Sequence, residues 1–237
     1  MANYTETKGQ KVQYLETDPT DLVEGQIWYN STSKTFKVVH YGAVIPGVWS
    51  TGGNLATGRS NIGGAGTQTA GLAIGGGPGN PPFASSSVEE YDGSVWAAGG
   101  TYPRETRIGA SAGIQTAAVN FGGYLTANTN LTDEYDGSAW TAGGTMTTAR
   151  QALGGAGTQN AALAFGGYTT AATAGTEEYD GTSWTAGGSN NNQSHSRGSA
   201  GTLDAALAFG RSPVTTATEE YLRTSAGLQI KTATSSF

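Results

Sequence analysis

An all-β fold is what the sequence predicts: a small β-propeller of about four blades, closed or open, behind an N-terminal β-hairpin module. Three observations carry that expectation. A Trp-x-x-Gly-Gly motif recurs at Trp49, Trp96, Trp140 and Trp184, spaced 47, 44 and 44 residues apart, and a fixed period of this size marks an array of supersecondary units. Within each period short apolar stretches alternate with turn residues, and none sustains a 3.6-residue period with caps. Finally, 38 of the 237 residues are glycine with no Gly-X-Y period, which excludes collagen.

Composition narrows the function classes. Cysteine is absent, so disulfides, thiolate zinc sites and a cysteine nucleophile are excluded. The net charge of −6 argues against nucleic-acid binding, which needs clustered Lys and Arg. No apolar run reaches the length of a membrane span, and neither membrane insertion nor a signal peptide is expected. Lysine divides the chain: Lys8, Lys11, Lys34 and Lys37 precede a gap that ends only at Lys231. Composition shifts to Gly, Ala and Thr just after Pro46-Gly47, so domains are expected at 1–47 and 48–237.

In the first region, Asp18 to Asp21 reads as a turn and Gly25 to Asn30 as a strand. Ser31 to Ser33 is a turn, and Lys34 to Val39 the hairpin partner. Two strands alone are marginal in water. Ile27, Trp28, Phe36 and Val38 are too apolar to face solvent on a lone hairpin. Ile27, Trp28 and Phe36 are therefore candidate contacts to a partner.

The repeat follows. Twenty-five residues after each motif tryptophan stands a large apolar residue before glycine: Ile74, Phe121, Phe165 and Phe209. An acidic pair and tyrosine come next, ending at Tyr91, Tyr135, Tyr179 and Tyr221. In the first three copies Asp-Gly follows, then tryptophan five residues after tyrosine. The third copy shows the strands. Ala152 to Ala156 is a small-residue segment, Gly157 to Asn160 a turn, and Ala161 to Phe165 a strand. Thr176 to Tyr179 is a third strand, Asp180-Gly181 a tight turn suited to positive φ, and Ser183 to Ala186 a fourth. Four short strands per period make one propeller blade. The Ala, Gly and Ser content of the first strands permits close approach at an axis. Trp49 to Gly53 is a fourth-strand motif with no blade before it, while the last copy lacks its tryptophan strand. Trp49 to Gly53 is thus expected to close the ring. Leu228 to Thr234 is the rival closing strand, and an open or intermolecularly closed array the alternative.

The unit resembles the kelch repeat. The resemblance rests on Gly122-Gly123 and Gly166-Gly167 ending second strands, Tyr-Asp before the hairpin, the fourth-strand tryptophan, and an opening arginine (Arg59, Arg150, with Arg107 and Arg197). It covers residues 49–237. Glu24-Gly25-Gln26-Ile27-Trp28-Tyr29-Asn30 followed by Thr35-Phe36-Lys37 resembles a short module of bacteriophage tail-fibre and other virion proteins. Gly/Ala/Thr-rich kelch-like arrays resemble those of structural proteins of marine phages, including cyanophages. These resemblances imply a non-enzymatic virion component: a tail fibre, tail appendage or capsid-surface protein mediating assembly, display and host attachment. They imply as partners other virion proteins and copies of the chain itself, a trimer by analogy to fibres.

No constellation argues for catalysis, and neither cofactor nor metal is expected. His40 and His195 share no ligand spacing, and no nucleophile elbow, Walker loop or His-Glu-x-x-His occurs. Neighbouring carboxylates on a strand diverge. One of each acidic pair is expected to meet the repeat's arginine or a turn amide, the other to face solvent. Asp92, Asp136 and Asp180 read as turn formers, and the repeated Tyr and Trp as core. Tyr102, Tyr124 and Tyr168 lie off the repeated positions and are candidates for stacking on a sugar, the basis of an alternative reading as a carbohydrate-binding adhesin for a host-surface glycan or receptor. Connections of variable length or content follow the second and fourth strands, which end on the same side of an antiparallel meander. Segments 78–83, 102–104, 124–130 and 190–195 are therefore expected on one face, adding Arg104, Asn191 and His195 to the candidate contacts.

Overall fold

The computed structural model describes residues 12–21, 26–39, 49–79, 84–210, 212 and 216–223. The chain divides into two compact units, Met1–Ser50 and Thr51–Phe237. The expected boundary near residue 47, His40, residues 80–83 and the proposed closing strand at 228–234 lie outside the described residues.

The first unit holds β1 (Gln13–Leu15), β2 (Ile27–Asn30) and β3 (Thr35–Val38). The expected hairpin is β2–β3, with Ile27 opposite Val38 and Asn30 opposite Thr35. The turn closes on Asn30, whose Oδ1 accepts from the amides of Thr32 and Ser33. The sequence reading missed β1, which adds to β2 in parallel, Gln13 opposite Trp28. A three-residue strand carries too little alternation to be legible. Because β2 alternates, its two faces differ. Trp28 and Asn30 are buried on one side, and both donate to Asp18 Oδ1, at 3.0 and 2.7 Å. On the other, Tyr29 stacks between Tyr14 and Phe36.

The second unit is four antiparallel meanders. The first contains β4 (Gly63–Thr67), β5 (Ala70–Ile74), β6 (Val88–Tyr91) and β7 (Trp96–Ala98). The second contains β8 (Ala110–Ile114), β9 (Ala117–Phe121), β10 (Thr132–Tyr135) and β11 (Trp140–Ala142). The third contains β12 (Gly154–Thr158), β13 (Ala161–Phe165), β14 (Thr176–Tyr179) and β15 (Trp184–Ala186). The fourth has three strands among the described residues, β16 (Gly198–Gly201), β17 (Ala205–Phe209) and β18 (Thr218–Leu222). No helix occurs among the described residues.

Each blade obeys the same local chemistry. In the first three blades the first turn is two residues long, as where Thr158 pairs with Ala161, so β12 runs further than the sequence reading allowed; in the fourth the pairing ends with Gly201 opposite Ala206. Gly157 precedes the third blade's turn at φ 106, and a Cβ there would lie 2.1 Å from the Ala161 carbonyl oxygen. The equivalent Gly66, Gly113 and Gly201 have φ between 100 and 112, a conformation only glycine adopts cheaply. The second turn spans four residues, since Tyr179 pairs with Trp184. Asp180 Oδ1 accepts the amides of Thr182 and Ser183 there, and Asp92 and Asp136 do the same in their own turns.

The core lies between blades as three apolar layers. Middle strands such as Ala161–Phe165 are apolar throughout because blades cover both their faces. Phe121, wholly buried, meets Trp184 of the next blade edge-on at 4.9 Å; burial of such a side chain is worth roughly 2–3 kcal/mol. Tyr135 stacks on Trp140 and Tyr179 on Trp184.

Innermost strands pack in series, β4 on β8, β8 on β12 and β12 on β16. Their Gly, Ala and Ser residues line one axial cavity of ≈ 360 Å³. No comparable packing joins β16 to β4 among the described residues. Trp49 belongs to no strand and is fully exposed. The expected closure by Trp49 to Gly53 is not formed, since this segment joins no sheet and, among the described residues, the fourth sheet ends at β18.

Candidate partner-binding face

The meander order places the 2–3 and 4–1 connections of every blade at one end and the short turns at the other. At the connection end, each blade is cinched by an isolated antiparallel bridge at the same offset after its tryptophan: Ser60 with Gly77, Arg107 with Tyr124, Gln151 with Tyr168, and His195 with Ser212. The next residues, Asn61, Ile108, Ala152 and Ser196, all adopt positive φ of 51 to 59. That is unusual for residues with a Cβ, above all a β-branched one. A backbone ladder holds them there. The Ile108 amide donates to Asn61, Ala152 to Ile108 and Ser196 to Ala152, at 3.0, 2.8 and 2.8 Å.

This ladder floors a cavity of ≈ 350 Å³ lined also by Gln151, Tyr168 and His195. The Tyr168 ring meets the His195 imidazole edge-on at 5.4 Å, and His195 Nδ1 lies 3.1 Å from Ser196 Oγ. The Arg107 guanidinium sits 5.3 Å from the Tyr124 ring centre. Asn128 donates to the carbonyls of Tyr168 and Thr169, tying one blade's connection to the next. Side-chain chemistry therefore varies around a constant backbone, with aromatic and polar groups on the second to fourth blades and Ser and Gly on the first.

Several predicted contacts belong to the scaffold instead. Tyr102 is only 3% exposed. Its hydroxyl donates to Asp133 at 2.5 Å and accepts from Asn120 at 2.8 Å, while Trp140 packs edge-on to its ring. Burial first, and then the Asp133 carboxylate, keep that hydroxyl protonated far above the usual tyrosine range. It cannot stack on a ligand. Arg104 is the ion-pair partner of the buried Asp133. Trp28 is buried against Asp18 rather than presented to a partner, whereas Ile27 and Phe36 are exposed at 50% and 71%. Asn191 commits its amide to Glu219 at 2.7 Å but leaves its side chain at the surface.

The acidic pairs resolve in two ways. The first member meets an arginine and a turn amide, as expected. Glu89 binds Arg59 and the Ala56 amide; Glu177 binds Arg150 and the Thr147 amide; Glu219 binds Arg197 and the Asn191 amide. In the second blade Arg104, not the expected Arg107, pairs with Asp133, and Arg107 lies beside the Tyr124 ring. The second member does not simply face solvent. Glu90, Glu134 and Glu178 accept the hydroxyls of Tyr135, Tyr179 and Tyr221 from the following blade.

Sequence reasoning missed Arg107 and Gln151 as members of this face. Their shared offset after the tryptophan was the available signal. Among the described residues no cluster of three His, Cys, Asp or Glu side chains forms a metal site. No protein-family model matches the chain, and no curated protein matches it at a significant level.

Proposed function

We propose that the chain is a non-enzymatic structural protein of a bacteriophage virion, a tail-fibre, tail-appendage or capsid-surface component. Its N-terminal unit attaches to the particle, and its kelch-like array is displayed for host attachment. The observation that carries this reading is the aromatic ladder of the first unit. Tyr14, Tyr29 and Phe36 form one continuous row across three strands, with Tyr14 73% and Phe36 71% exposed and Ile27 and Val38 close to half exposed or more. Such a row on so small a sheet suits burial against another body. Its partners in this reading are other virion proteins and copies of the chain itself, and its location is the particle surface or tail. Immunogold labelling of virions from an infected lysate tests it. Labelled particles are expected, and their loss is expected with Tyr14→Ser/Phe36→Ser. Protein found only in the particle-free fraction overturns the reading.

A second reading, a carbohydrate-binding adhesin, is favoured by the Arg107–Tyr124 and Tyr168–His195 pairs, which present ring faces beside polar groups. Glycan-array binding that Tyr124→Ala and Tyr168→Ala abolish supports it; no array signal rejects it.

A further inference from the structure

The interfaces inside the array repeat one set of bonds, and the two ends of the array hold the unmatched halves of one more. At each interface the following blade's tyrosine donates to the second glutamate of the preceding blade. At the first two, a glutamine of the following blade also donates to two carbonyls of the preceding one, Gln115 to Gly71 and Tyr91, Gln159 to Ala118 and Tyr135. An amide of the positive-φ ladder crosses each interface as well.

On the first blade the equivalent donors are the Tyr91 hydroxyl, the Gln68 side chain and the Asn61 amide, and none has an acceptor among the described residues. On the fourth blade the equivalent acceptors are Glu220 and the carbonyl of Ser196, neither with a donor among the described residues. Phe209 is 43% exposed there, where its counterparts Phe121 and Phe165 are at 0% and 3%. Among the described residues the fourth blade has no fourth strand, and the fourth-strand motif at Trp49 joins no sheet. Gly53 lies against the Ser94 carbonyl as Gly100 lies against that of Ser138. The chain thus begins its array with the tail of a preceding blade.

We infer that the array joins head to tail with a second copy of this chain, whose residues 49–51 complete the fourth blade and whose first blade covers Phe209 and Glu220. The Tyr–Trp pairing of the other blades sets the register, Trp49 of one copy opposite Tyr221 of the other and Ser50 opposite Glu220. A second copy, rather than an unrelated protein, is indicated because donors and acceptors at the two ends correspond position by position. A head-to-tail contact of this kind is heterologous. The inference goes beyond the proposed function and stands or falls without any particle.

Sedimentation of the full chain tests it, with a mass of two or more chains expected and a single-chain mass overturning it. Gln68→Ala should weaken the association by about tenfold or more; an unchanged dissociation constant counts against the proposed face. Because the chain has no cysteine, oxidative cross-linking is clean. Ser50→Cys and Glu220→Cys chains, mixed and oxidised, should give a disulfide-linked two-chain product exceeding that from either alone, since paired strand positions lie within disulfide reach. A chain carrying both substitutions that oxidises to an internally bridged monomer would show closure within one chain and overturn the inference.

Discussion

Replacing Glu177 by glutamine isolates the charge of a buried ion pair while keeping its shape. The Arg150 and Glu177 side chains are 1% and 6% exposed, with Nη2 3.0 Å from Oε1. Arg150 Nη1 also donates to the Gly166 and Gly175 carbonyls at 3.0 and 2.6 Å, so the guanidinium ties three strand ends together. Burial pulls the arginine below its usual pKa, against the opposing pull of Glu177, which marks the solvation lost by the cation. Stripping a buried charge of its counter-ion costs roughly 3–5 kcal/mol. Glutamine still offers an oxygen to the Thr147 amide, and both carbonyl bonds survive, so Glu177→Gln should lie at the low end, about 3 kcal/mol. Against a typical stability of roughly 5–15 kcal/mol, that is a large fraction. Urea unfolding followed by tryptophan fluorescence should show a lower midpoint with unchanged slope. Arg150→Met combined with Glu177→Gln removes the stranded cation. The double variant should be less destabilised than the sum of the singles by about 2 kcal/mol. A single-variant cost below about 1 kcal/mol, or additivity within about 0.5 kcal/mol, would refute the reasoning.

Gly157→Ala puts a Cβ at φ 106 and 2.1 Å from the Ala161 carbonyl oxygen; it should cost about 2–4 kcal/mol, measurable by the same unfolding assay. The Tyr179 hydroxyl is pushed up to about 12, by burial first and then by Glu134. Its contribution to stability is full below the ordinary value of 10.0 and is lost as pH rises through about 12, so ultraviolet titration should show a late tyrosinate step that Glu134→Gln moves down. Asp18 is lowered to about 2, chiefly by its hydrogen bond from Lys37, then by those from Asn30 and Trp28. Its stabilisation of the N-terminal sheet holds above the model-peptide value of 3.8 and fades as pH falls through about 2. Carboxylate chemical shifts should follow that titration, and Asp18→Asn should abolish it and perturb the Trp28 indole resonance.

What the sequence determined by itself was local and periodic. The recurrence of the apolar residue before glycine at Ile74, Phe121, Phe165 and Phe209, and of the tyrosines at Tyr91, Tyr135, Tyr179 and Tyr221, counts the blades, because each supersecondary unit must repeat the same local pattern to be stackable at all. Asp92, Asp136 and Asp180 were legible as turn formers because a short carboxylate reaches backbone amides two and three residues ahead whatever lies around it. The meander order, and with it the side on which the variable connections emerge, follows from the same local rules. Tertiary structure decided which chemically suitable side chains are free. Tyr102 and Tyr124 read alike in sequence, yet one fills the space between two blades and the other lies at the surface beside Arg107. The second glutamates became clasps because a tyrosine from the neighbouring blade arrives at each of them, a pairing across more than 40 residues that no local pattern announces. Closure of the array is a tertiary matter for the same reason. Strand motifs say what can pair, but the curvature accumulated over the blade interfaces sets whether the last strand meets the first.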